Sequence, residues 1–496
     1  MTEETPAQDV LTVRREKLER LRARGIEPFA LRFDRDATAA ELAERFSGLE
    51  PGSSSGQVVR VAGRLVGLRN HGKLSFGVLR DGSADVQLFL AEDTLGPDAY
   101  AGLEDLDLGD WLGAEGEVVR TKRGELSVRP TRVVLLTKSL RPLPEKWHGL
   151  RDVELRYRRR YLDLATNEEV RTRLTARARM LAALRDHLDG LGFVEVETPV
   201  LQPMPGGGLA RPFLTHHEAL DIDMYLRIAP ELYLKRLLVG GMERVYEIGR
   251  TFRNEGISPK YNPEFTMLEA YQAYGSYEDM MDLTEGLVKA SAEAVNGSLA
   301  YSWRGSEVDL ARPWARVTMH AAVAEATGRE ITLDTPSEEL QGIADEREVG
   351  YDPAWPAGKL VVEMFEKLVE PNLVEPTMVK DFPREVSPLA RPHRDDSRVT
   401  EHFDLIMGGV EIVPAYSELT DPDEQRARFE MQRAQAAAGD EEAHPFDEEF
   451  LVALEHGMPP AGGMGLGVDR LLMVLTDAPS LREVILFPAL RPETQQ

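Results

Sequence analysis

The order in which short strands and longer helices follow one another limits the folds open to this chain. From Gln57 to about Leu140, short apolar runs are separated by turns such as HGK, DGS and KRGE. About five strands of this kind predict a small closed barrel such as an OB-fold, although other small barrels would give the same pattern. After Thr166, strands and helices come in runs rather than in alternation. This order favours an α+β domain on an antiparallel sheet over a doubly wound parallel sheet.

Domain boundaries follow from changes in composition along the chain. We predict an N-terminal helical extension and linker over 1–56, a barrel over 57–142, a linker over 143–165 and the α+β domain over 166–496, with a helical insertion at about 311–386. The segment SGLEPGSSSG marks the first boundary, because serine and glycine favour flexible connections. A chain of 496 residues is long enough for more than one hydrophobic core.

The absence of cysteine excludes several kinds of chemistry. Disulfides, thiolate nucleophiles and Cys-ligated zinc sites are ruled out, so any metal must be held by oxygen or imidazole. The N-terminus begins acidic and has no apolar core, unlike a signal peptide. The sequence has no run of about 18 apolar residues, the length that a membrane span requires. We therefore expect a cytoplasmic protein without a membrane partner.

The net charge weighs against a nucleic-acid partner overall but not locally. The formal net charge is −26, whereas binding to phosphates depends on lysine and arginine. Residues 1–150 carry 22 Lys plus Arg and 24 Asp plus Glu, so the acidity lies in the C-terminal two-thirds. Basic residues crowd between Arg120 and Arg160. A basic surface for nucleic acid is therefore possible in this part of the chain.

The most specific motifs lie between Pro205 and Tyr274 and include GGGLARPFLTHH, YLRIAPELYLKRL, EIGRTFRNEG and NPEFTMLEAYQAY. Here, and from VAGRLVGLR to the closing MGLGVDRLLMVLTD, the sequence strongly resembles the class II lysyl-tRNA synthetases nearly end to end. The resemblance implies an N-terminal OB-fold β-barrel that binds the anticodon, followed by a class II catalytic domain with an antiparallel sheet flanked by helices. It implies a ligase that converts lysine and ATP to lysyl-adenylate and pyrophosphate, and then transfers lysine to the 3′ end of tRNA(Lys).

Activation of an amino acid needs cations rather than a protein nucleophile, because a carboxylate must attack the α-phosphate of ATP. Arg253 in TFRNEG is suited to bind both the α-phosphate and the lysine carboxylate. Outside this motif it would be read as a surface ion-pair arginine. The resemblance implies that Glu255 binds the adenine amino group and Phe265 covers one face of adenine, while Arg470 covers the other face and contacts the γ-phosphate. Arg253 and Arg470 are thus the expected catalytic residues.

Magnesium is the expected cofactor, and it prefers oxygen ligands. The segment FDLIMGGVEI offers Asp404 and Glu411, and the resembling family uses two acidic residues here, the first commonly a glutamate. In a chain with 85 Asp and Glu, an acidic pair without this motif would be read as solvated surface.

Selection of lysine needs a buried anion at the far end of the pocket, because an unpaired buried ammonium is costly. Glu418 in YSELTDP is the expected anion, since aspartyl and asparaginyl relatives would need a cation or an amide donor there. The resemblance places Glu231 and the Gly207 backbone at the α-amino group. The full set of expected lysine-binding residues is Gly207, Glu231, Glu269, Tyr271, Tyr416 and Glu418.

Several positions in these motifs depart from the commonest family pattern, among them Gly208 in place of an alanine and Glu218 in place of an asparagine. Pro414 stands where an asparagine often contacts the lysine carboxylate, and a proline side chain cannot donate a hydrogen bond. Lys260 and Tyr261 replace an arginine and a histidine in the loop after TFRNEG. The carboxylate must therefore depend more on Arg253 or on water.

The barrel is expected to read the central anticodon uridine through Arg69, Phe76, Gln87 and Glu125, as in the related synthetases. On the barrel sequence alone, Phe76 would more simply be a core residue. The segment around Pro199 resembles the motif that forms the dimer interface of class II synthetases, so the resemblance also implies a homodimer.

Two other functions remain open at this stage. One is an enzyme that uses another amino acid, or a protein or lipid acceptor in place of tRNA; the complete barrel argues against the non-tRNA relatives that have lost it. The other is a non-catalytic paralog with an RNA-binding or regulatory role. Loss of the arginines or of both acidic metal positions would favour that paralog, yet all are present in the sequence: Arg253, Arg470, Asp404 and Glu411.

Overall fold

The computed structural model describes residues 7–144, 150, 152–208, 210–437 and 445–492. The chain divides into two compact units, Met1–Arg151 and Asp152–Gln496. Of the linker predicted over 143–165, residues 145–149 and 151 lie outside the described residues. No helix in the described ranges combines the length and the apolar character needed to cross a membrane.

The first unit is a closed five-stranded barrel with strand order β1-β2-β3-β5-β4. The barrel strands are β1 (Ser54–His71), β2 (Leu74–Arg80), β3 (Asp85–Ala91), β4 (Trp111–Arg120) and β5 (Leu126–Thr137). Buried and half-buried residues alternate along β2, so one face fills the interior and the other faces outward. Leu65, Leu79 and Leu88 are fully buried in that interior.

Four short or medium helices accompany the barrel: α1 (Ala7–Ala23), α2 (Ala39–Arg45), α3 (Glu92–Leu95) and α4 (Pro97–Ala101). Leu18 and Leu21 of α1 are buried, and Lys17 Nζ lies 2.8 Å from the Asp107 carboxylate next to the barrel. The N-terminal helix therefore belongs to the barrel unit. Gly25 follows the helix with φ +72°, the backbone conformation in which glycine commonly ends helices.

The second unit contains an eight-stranded sheet in the order β14-β15-β16-β17-β18-β11-β10-β6. Its strands are β6 (Val194–Glu195), β10 (Arg244–Phe252), β11 (Glu264–Ala273), β14 (Ala315–Thr318), β15 (Thr377–Pro383), β16 (Val399–Met407), β17 (Val410–Ser417) and β18 (Ala461–Gly467). Pairing is antiparallel throughout the centre, and only the edge strands β14 and β6 pair in parallel. The predicted antiparallel α+β domain is confirmed.

Two smaller sheets complete the strands of this unit. The first consists of β7 (Leu201–Gln202), β8 (Phe213–His217) and β9 (Ile222–Leu226), and the second of β12 (Ala300–Trp303) and β13 (Ser306–Asp309). The helices are α5 (Val153–Arg158), α6 (Arg160–Thr166), α7 (Glu168–Gly190), α8 (Glu231–Val239), α9 (Tyr277–Asn296), α10 (Met319–Thr327), α11 (Ser337–Glu346), α12 (Ala357–Met364), α13 (Pro422–Ala437), α14 (Glu448–Glu455) and α15 (Val468–Leu475).

The second half of the predicted linker is helical and forms part of the second unit. Arg160, at the start of α6, is fully buried, and its guanidinium donates to Asp163 Oδ2 at 2.6 Å. It also donates to the carbonyl of Arg482 at 2.6 Å. Because a buried arginine needs all of its donors satisfied, this pairing fixes α6 against the C-terminal segment.

The helical insertion predicted at about 311–386 is shorter in the structure. Residues 315–318 and 377–383 are the strands β14 and β15 of the main sheet, so the helices α10, α11 and α12 occupy the interval between them. Short apolar runs such as those of β14 cannot be distinguished from helix by periodicity alone, which explains the error in the boundaries.

One face of the main sheet packs on helices and the other is left to form a cavity. Met180 and Leu184 of α7, spaced one turn apart, pack in the same core as Leu268 and Ala270 of β11. Side chains alternate along a strand, so the intervening residues of β11 point to the opposite face. Those residues begin the candidate site.

Candidate active site

A cavity of about 330 Å³ lies on the face of the sheet opposite this core. Strands β11, β16, β17 and β18 contribute to its lining, together with the loop after β10 and the start of α15. The residues predicted for ATP and for metal line it, as do all but one of those predicted for lysine: Gly207, Glu231, Arg253, Glu255, Phe265, Glu269, Tyr271, Asp404, Glu411, Tyr416 and Arg470. The exception is Glu418.

Arg253 follows directly after β10 and faces Phe265 of β11. Its guanidinium carbon lies 5.3 Å from the centroid of the Phe265 ring, and its buried Nε has no hydrogen-bond partner among the residues that the structure describes. A buried donor without a partner is costly, and an anionic ligand in the cavity would satisfy it. Arg253 and Phe265, predicted separately for the α-phosphate and for adenine, are therefore neighbours in the wall of the cavity.

Arg470 lies in the first turn of α15, at another wall of the cavity. Its Nη1 donates to the carbonyl of Glu411 at 2.9 Å and to Glu411 Oε1 at 3.2 Å. The guanidinium carbon lies 5.6 Å from the Tyr261 ring centroid, a separation at which a cation interacts with an aromatic face. Tyr261, which replaces the histidine of the commonest family pattern, thus brings an aromatic ring next to Arg470.

Asp404 and Glu411 reach the cavity from the adjacent strands β16 and β17. Burial raises the pKa of Asp404. The neighbouring His402 lowers this pKa, and the charge of the Glu411 carboxylate raises it further. Two carboxylates that repel one another suit a divalent cation. No group of three or more His, Cys, Asp or Glu side chains that could hold a metal occurs in the described part of the chain. A Mg²⁺ ion here would need phosphate or water oxygens as its other ligands.

Acidic and phenolic side chains gather at the other end of the cavity. The Tyr271 hydroxyl donates to Glu269 Oε2 at 3.0 Å. Burial, followed by the charge of Glu231, raises the pKa of Glu269 well above its ordinary value. Gly207 adopts φ +84°, and a Cβ there would lie 2.8 Å from the Glu231 Cβ. Only glycine therefore lets the backbone approach Glu231 so closely.

Glu418 is buried beside this end of the cavity, with 1% of its surface exposed. A Cβ on Gly463 would lie 2.1 Å from Glu418 Oε1 and 2.5 Å from the Tyr271 ring. The carboxylate and the ring are therefore close neighbours on the side of Gly463 where a side chain would project. Glu418 Oε2 lies 2.5 Å from the ammonium of Lys235 in an ion pair, and within the described part of the chain neither carboxylate oxygen makes a hydrogen bond of good geometry.

Comparison with known proteins identifies the family. Residues 152–491 match the tRNA synthetases class II (D, K and N), and residues 59–136 match the OB-fold nucleic acid binding domain. The lysine–tRNA ligase of Moorella thermoacetica is 51% identical over 98% of this chain and 99% of that protein. Those of Syntrophomonas wolfei and Carboxydothermus hydrogenoformans are 51% and 50% identical over 98% of this chain and 97% and 98% of those proteins.

The chain belongs to the class II lysine–tRNA ligase family. The resemblance and the fold class predicted from the motifs are confirmed, and so is a ligase that forms aminoacyl-tRNA. A non-catalytic paralog is correspondingly disfavoured.

The family's OB-fold barrel carries its predicted anticodon residues on the outer face. Arg69 pairs with Phe76 across β1 and β2, and Phe76 is half-buried rather than part of the barrel core. Its ring meets Phe89 edge-on at 5.4 Å. The alternative of a core phenylalanine is therefore wrong, because Ser75 and Gly77 occupy the inward positions.

Gln87 and Glu125 lie on the neighbouring part of the barrel. Gln87 Nε2 donates to Ser127 Oγ at 2.9 Å, and that hydroxyl donates to the carbonyl of Glu125 at 3.3 Å. These contacts hold the two predicted residues close together at the start of β5.

Sequence reasoning missed His402 and Lys235. His402 lines the cavity; its Nε2 is hydrogen-bonded to Asp404 Oδ1 at 2.9 Å and its ring stacks on Phe382 at 3.7 Å. The only signal for His402 was its position two residues before Asp404 on one strand. For Lys235, the signal was its spacing of four residues from Glu231 in PELYLKRL, which puts both on one helix face.

Proposed function

We propose that this chain is a lysyl-tRNA synthetase that activates L-lysine with ATP and then charges tRNA(Lys). The observation that carries the proposal is a single cavity whose two ends carry opposite charge. Arg253, Phe265 and Arg470 contribute cations and an aromatic face at one end, and Glu231 and Glu269 contribute carboxylates at the other. Such a cavity fits a nucleoside triphosphate next to a cationic amino acid.

Arg253 would bind the lysine carboxylate and the ATP α-phosphate together. Two anions repel until a shared cation compensates their charge, and orientation by a fixed fork of donors lowers the barrier further. The pair of electrons that forms the new bond comes from the lysine carboxylate, and pyrophosphate leaves. Phe265 would stack on adenine and Glu255 would accept from its amino group, while Arg470 would bind the other face and the γ-phosphate.

Asp404 and Glu411 would hold Mg²⁺, which when bound neutralises charge on the triphosphate. The donor set fits a hard cation because both side chains offer oxygen. Arg470 would hold the Glu411 carboxylate in place through its hydrogen bonds.

Lysine would lie with its α-amino group at Glu231 and the Gly207 backbone and its ε-ammonium beside Tyr271, Tyr416 and Glu418. Among the described residues the Glu418 carboxylate has no hydrogen-bond partner of good geometry, which supports this orientation because a buried carboxylate oxygen is stabilised by a charged donor. Pro414 lines the cavity and offers the lysine carboxylate no donor, which leaves that role to Arg253.

The proposed role of Glu418 predicts a pH dependence. Burial raises the pKa of Glu418 to about 7 despite the opposing Lys235 cation. Below that pH the carboxylate takes up a proton and loses its attraction for the ammonium. We expect kcat/KM for lysine to fall by about tenfold per pH unit below about 7, while kcat/KM for ATP changes little. A lysine profile that stays flat between pH 6 and pH 8 would contradict the assignment.

The anticodon proposal is tested by Phe76→Ala. Loss of one stacked base costs about 1–3 kcal/mol, so charging of tRNA(Lys) should fall by about 5- to 150-fold at subsaturating tRNA. Lysine-dependent ATP–pyrophosphate exchange should be unchanged, since it needs no tRNA. Phe29→Ala, at an exposed phenylalanine of the same unit, is the control. Equal charging by both variants would refute the role of Phe76.

A homodimer in the cytoplasm completes the proposal. Support for the dimer comes from apolar side chains exposed around the β7-β9-β8 sheet, among them Leu214, Leu220 and Ile222, because exposed apolar patches commonly mark interfaces. The cytoplasm is where ribosomes consume charged tRNA.

Charging of tRNA tests the proposal as a whole. The purified chain is incubated with labelled lysine, ATP, Mg²⁺ and unfractionated tRNA, and the acid-precipitable label is measured. We expect charging that depends on ATP and that a transcript of tRNA(Lys) supports, whereas the same transcript with a changed central anticodon base does not. Binding of tRNA without charging, by a folded protein, would favour a regulatory RNA-binding protein instead.

A further inference from the structure

The ammonium of Lys235 is fully buried between two carboxylates that belong to different elements. Its Nζ lies 2.5 Å from Glu231 Oε1, one turn earlier in α8, and 2.5 Å from Glu418 Oε2, which follows β17. The side chains of Lys235 and Glu418 have no exposed surface, and that of Glu231 has 8%. Both carboxylates belong to the set that our proposed function assigns to lysine.

A comparison within the chain shows that this is more than a helix-stabilising pair. Lys289 and Glu285 of α9 also lie 2.5 Å apart with the same spacing of four residues, but each is 29% exposed and the pair has one carboxylate. Pairs of that kind add only a few tenths of a kcal/mol to a helix. Burial of Lys235 with two carboxylates has a much larger desolvation cost. A cost of this size indicates that the arrangement has a role other than stabilising the helix.

The charges around Glu418 indicate the role of the buried Lys235 ammonium. The ionisable groups around this end of the cavity are Lys235 and Glu231 from α8, Glu269 and Tyr271 from β11, and Tyr416 and Glu418 from β17 and its C-terminal end. Of these, Lys235 is the cation in contact with Glu231 and Glu418, whereas the charges of Arg253 and Arg227 act on Glu269. Without Lys235, Glu418 would keep the repulsion of Glu231 and lose the charge that opposes it, which would favour the protonated form of Glu418.

We propose that Lys235 is a positioning residue for lysine recognition, whose ammonium favours the ionised form of Glu418 and fixes the side chains of Glu231 and Glu418 before the substrate arrives. This role rests on the proposed function. The ion-pair contact of Lys235 is with Oε2 of Glu418, and the carboxylate makes no hydrogen bond of good geometry to any described residue, so Oε1 is left to accept from the substrate ammonium. Although burial alone lowers the pKa of Lys235, the charges of Glu231 and Glu418 outweigh it and raise that pKa, so the residue stays charged throughout the working range of pH.

The test is Lys235→Met, which keeps the length of the side chain and removes its charge. An opposite charge within about 4–6 Å lowers a carboxyl pKa by roughly 1–3 units. Its loss should therefore raise KM for lysine at pH 7 by about 10- to 100-fold and move the fall in kcat/KM for lysine to higher pH by at least about one unit. KM for ATP should stay within about twofold. Lys235→Arg, which restores the charge, should recover most of the affinity for lysine.

ATP–pyrophosphate exchange of the full chain is measured between pH 6 and pH 8.5, with Lys289→Met as the control and thermal unfolding recorded for each variant. If Lys235→Met does not fold, Lys235→Gln takes its place, because it keeps hydrogen bonding between the two carboxylates without the charge. An unchanged or lower KM for lysine, or a higher KM with the pH profile in its original place, would overturn the proposal. A wild-type chain without lysine-dependent exchange would instead refute the proposed function itself.

Discussion

Replacing Arg253 with glutamine is expected to reduce lysine-dependent ATP–pyrophosphate exchange by about 10³-fold, because loss of a preorganised donor to the developing charge costs that much in other enzymes. The guanidinium is the cation that both reacting anions would share. Glutamine retains a donor but no charge, so binding of ATP should weaken far less than the rate.

Arg250→Gln is the matched control for this prediction. Arg250 lies on β10, just before Arg253, but it is exposed and its Nε is 3.6 Å from the Glu264 carboxylate, where an ion pair contributes about 0–1 kcal/mol. Its exchange rate should stay within about twofold of the wild type. If the Arg253 variant keeps more than a tenth of the wild-type rate, the shared-cation mechanism is wrong.

Replacing Glu418 with glutamine is expected to remove the selection of lysine while ATP binding is kept. The amide has the shape of the carboxylate without its charge, and an uncompensated buried charge costs about 3–5 kcal/mol. KM for lysine should therefore rise by at least about 100-fold, and the preference for lysine over ornithine and over the uncharged analogue norleucine should fall.

The comparison variant for Glu418 is Glu264→Gln, at a half-exposed carboxylate of the same sheet. It should keep the wild-type KM for lysine. Unchanged discrimination against ornithine and norleucine in the Glu418 variant would show that another group selects lysine, and Glu269 would then be the first residue to test.

Much of the fold could be predicted because periodicity and the order of elements are local properties of the sequence. The strands of the barrel and the antiparallel character of the larger domain followed from short alternating runs and from the lack of alternation between strands and helices. The ends of the insertion did not, because β14 and β15 join the sheet through contacts with distant strands. Such contacts leave little trace in a short stretch of sequence.

Most of the candidate site could be named in advance because its residues lie in compact motifs. Arg253 and Phe265 are separated by a single loop, and the structure brings their side chains together. The motif could not show that Glu418 is buried next to Tyr271 instead of lining the cavity, since that depends on the close approach of β18 at Gly463. It also gave no reason to pair Glu418 with Lys235, which lies almost two hundred residues earlier in the chain.

The central claim is that the cavity selects lysine for activation by ATP. It is tested most directly by ATP–pyrophosphate exchange with each of the twenty amino acids offered separately to the purified protein in the presence of Mg²⁺. We predict exchange with lysine alone. Exchange with a different amino acid, or none with any amino acid by a folded protein, would contradict this account.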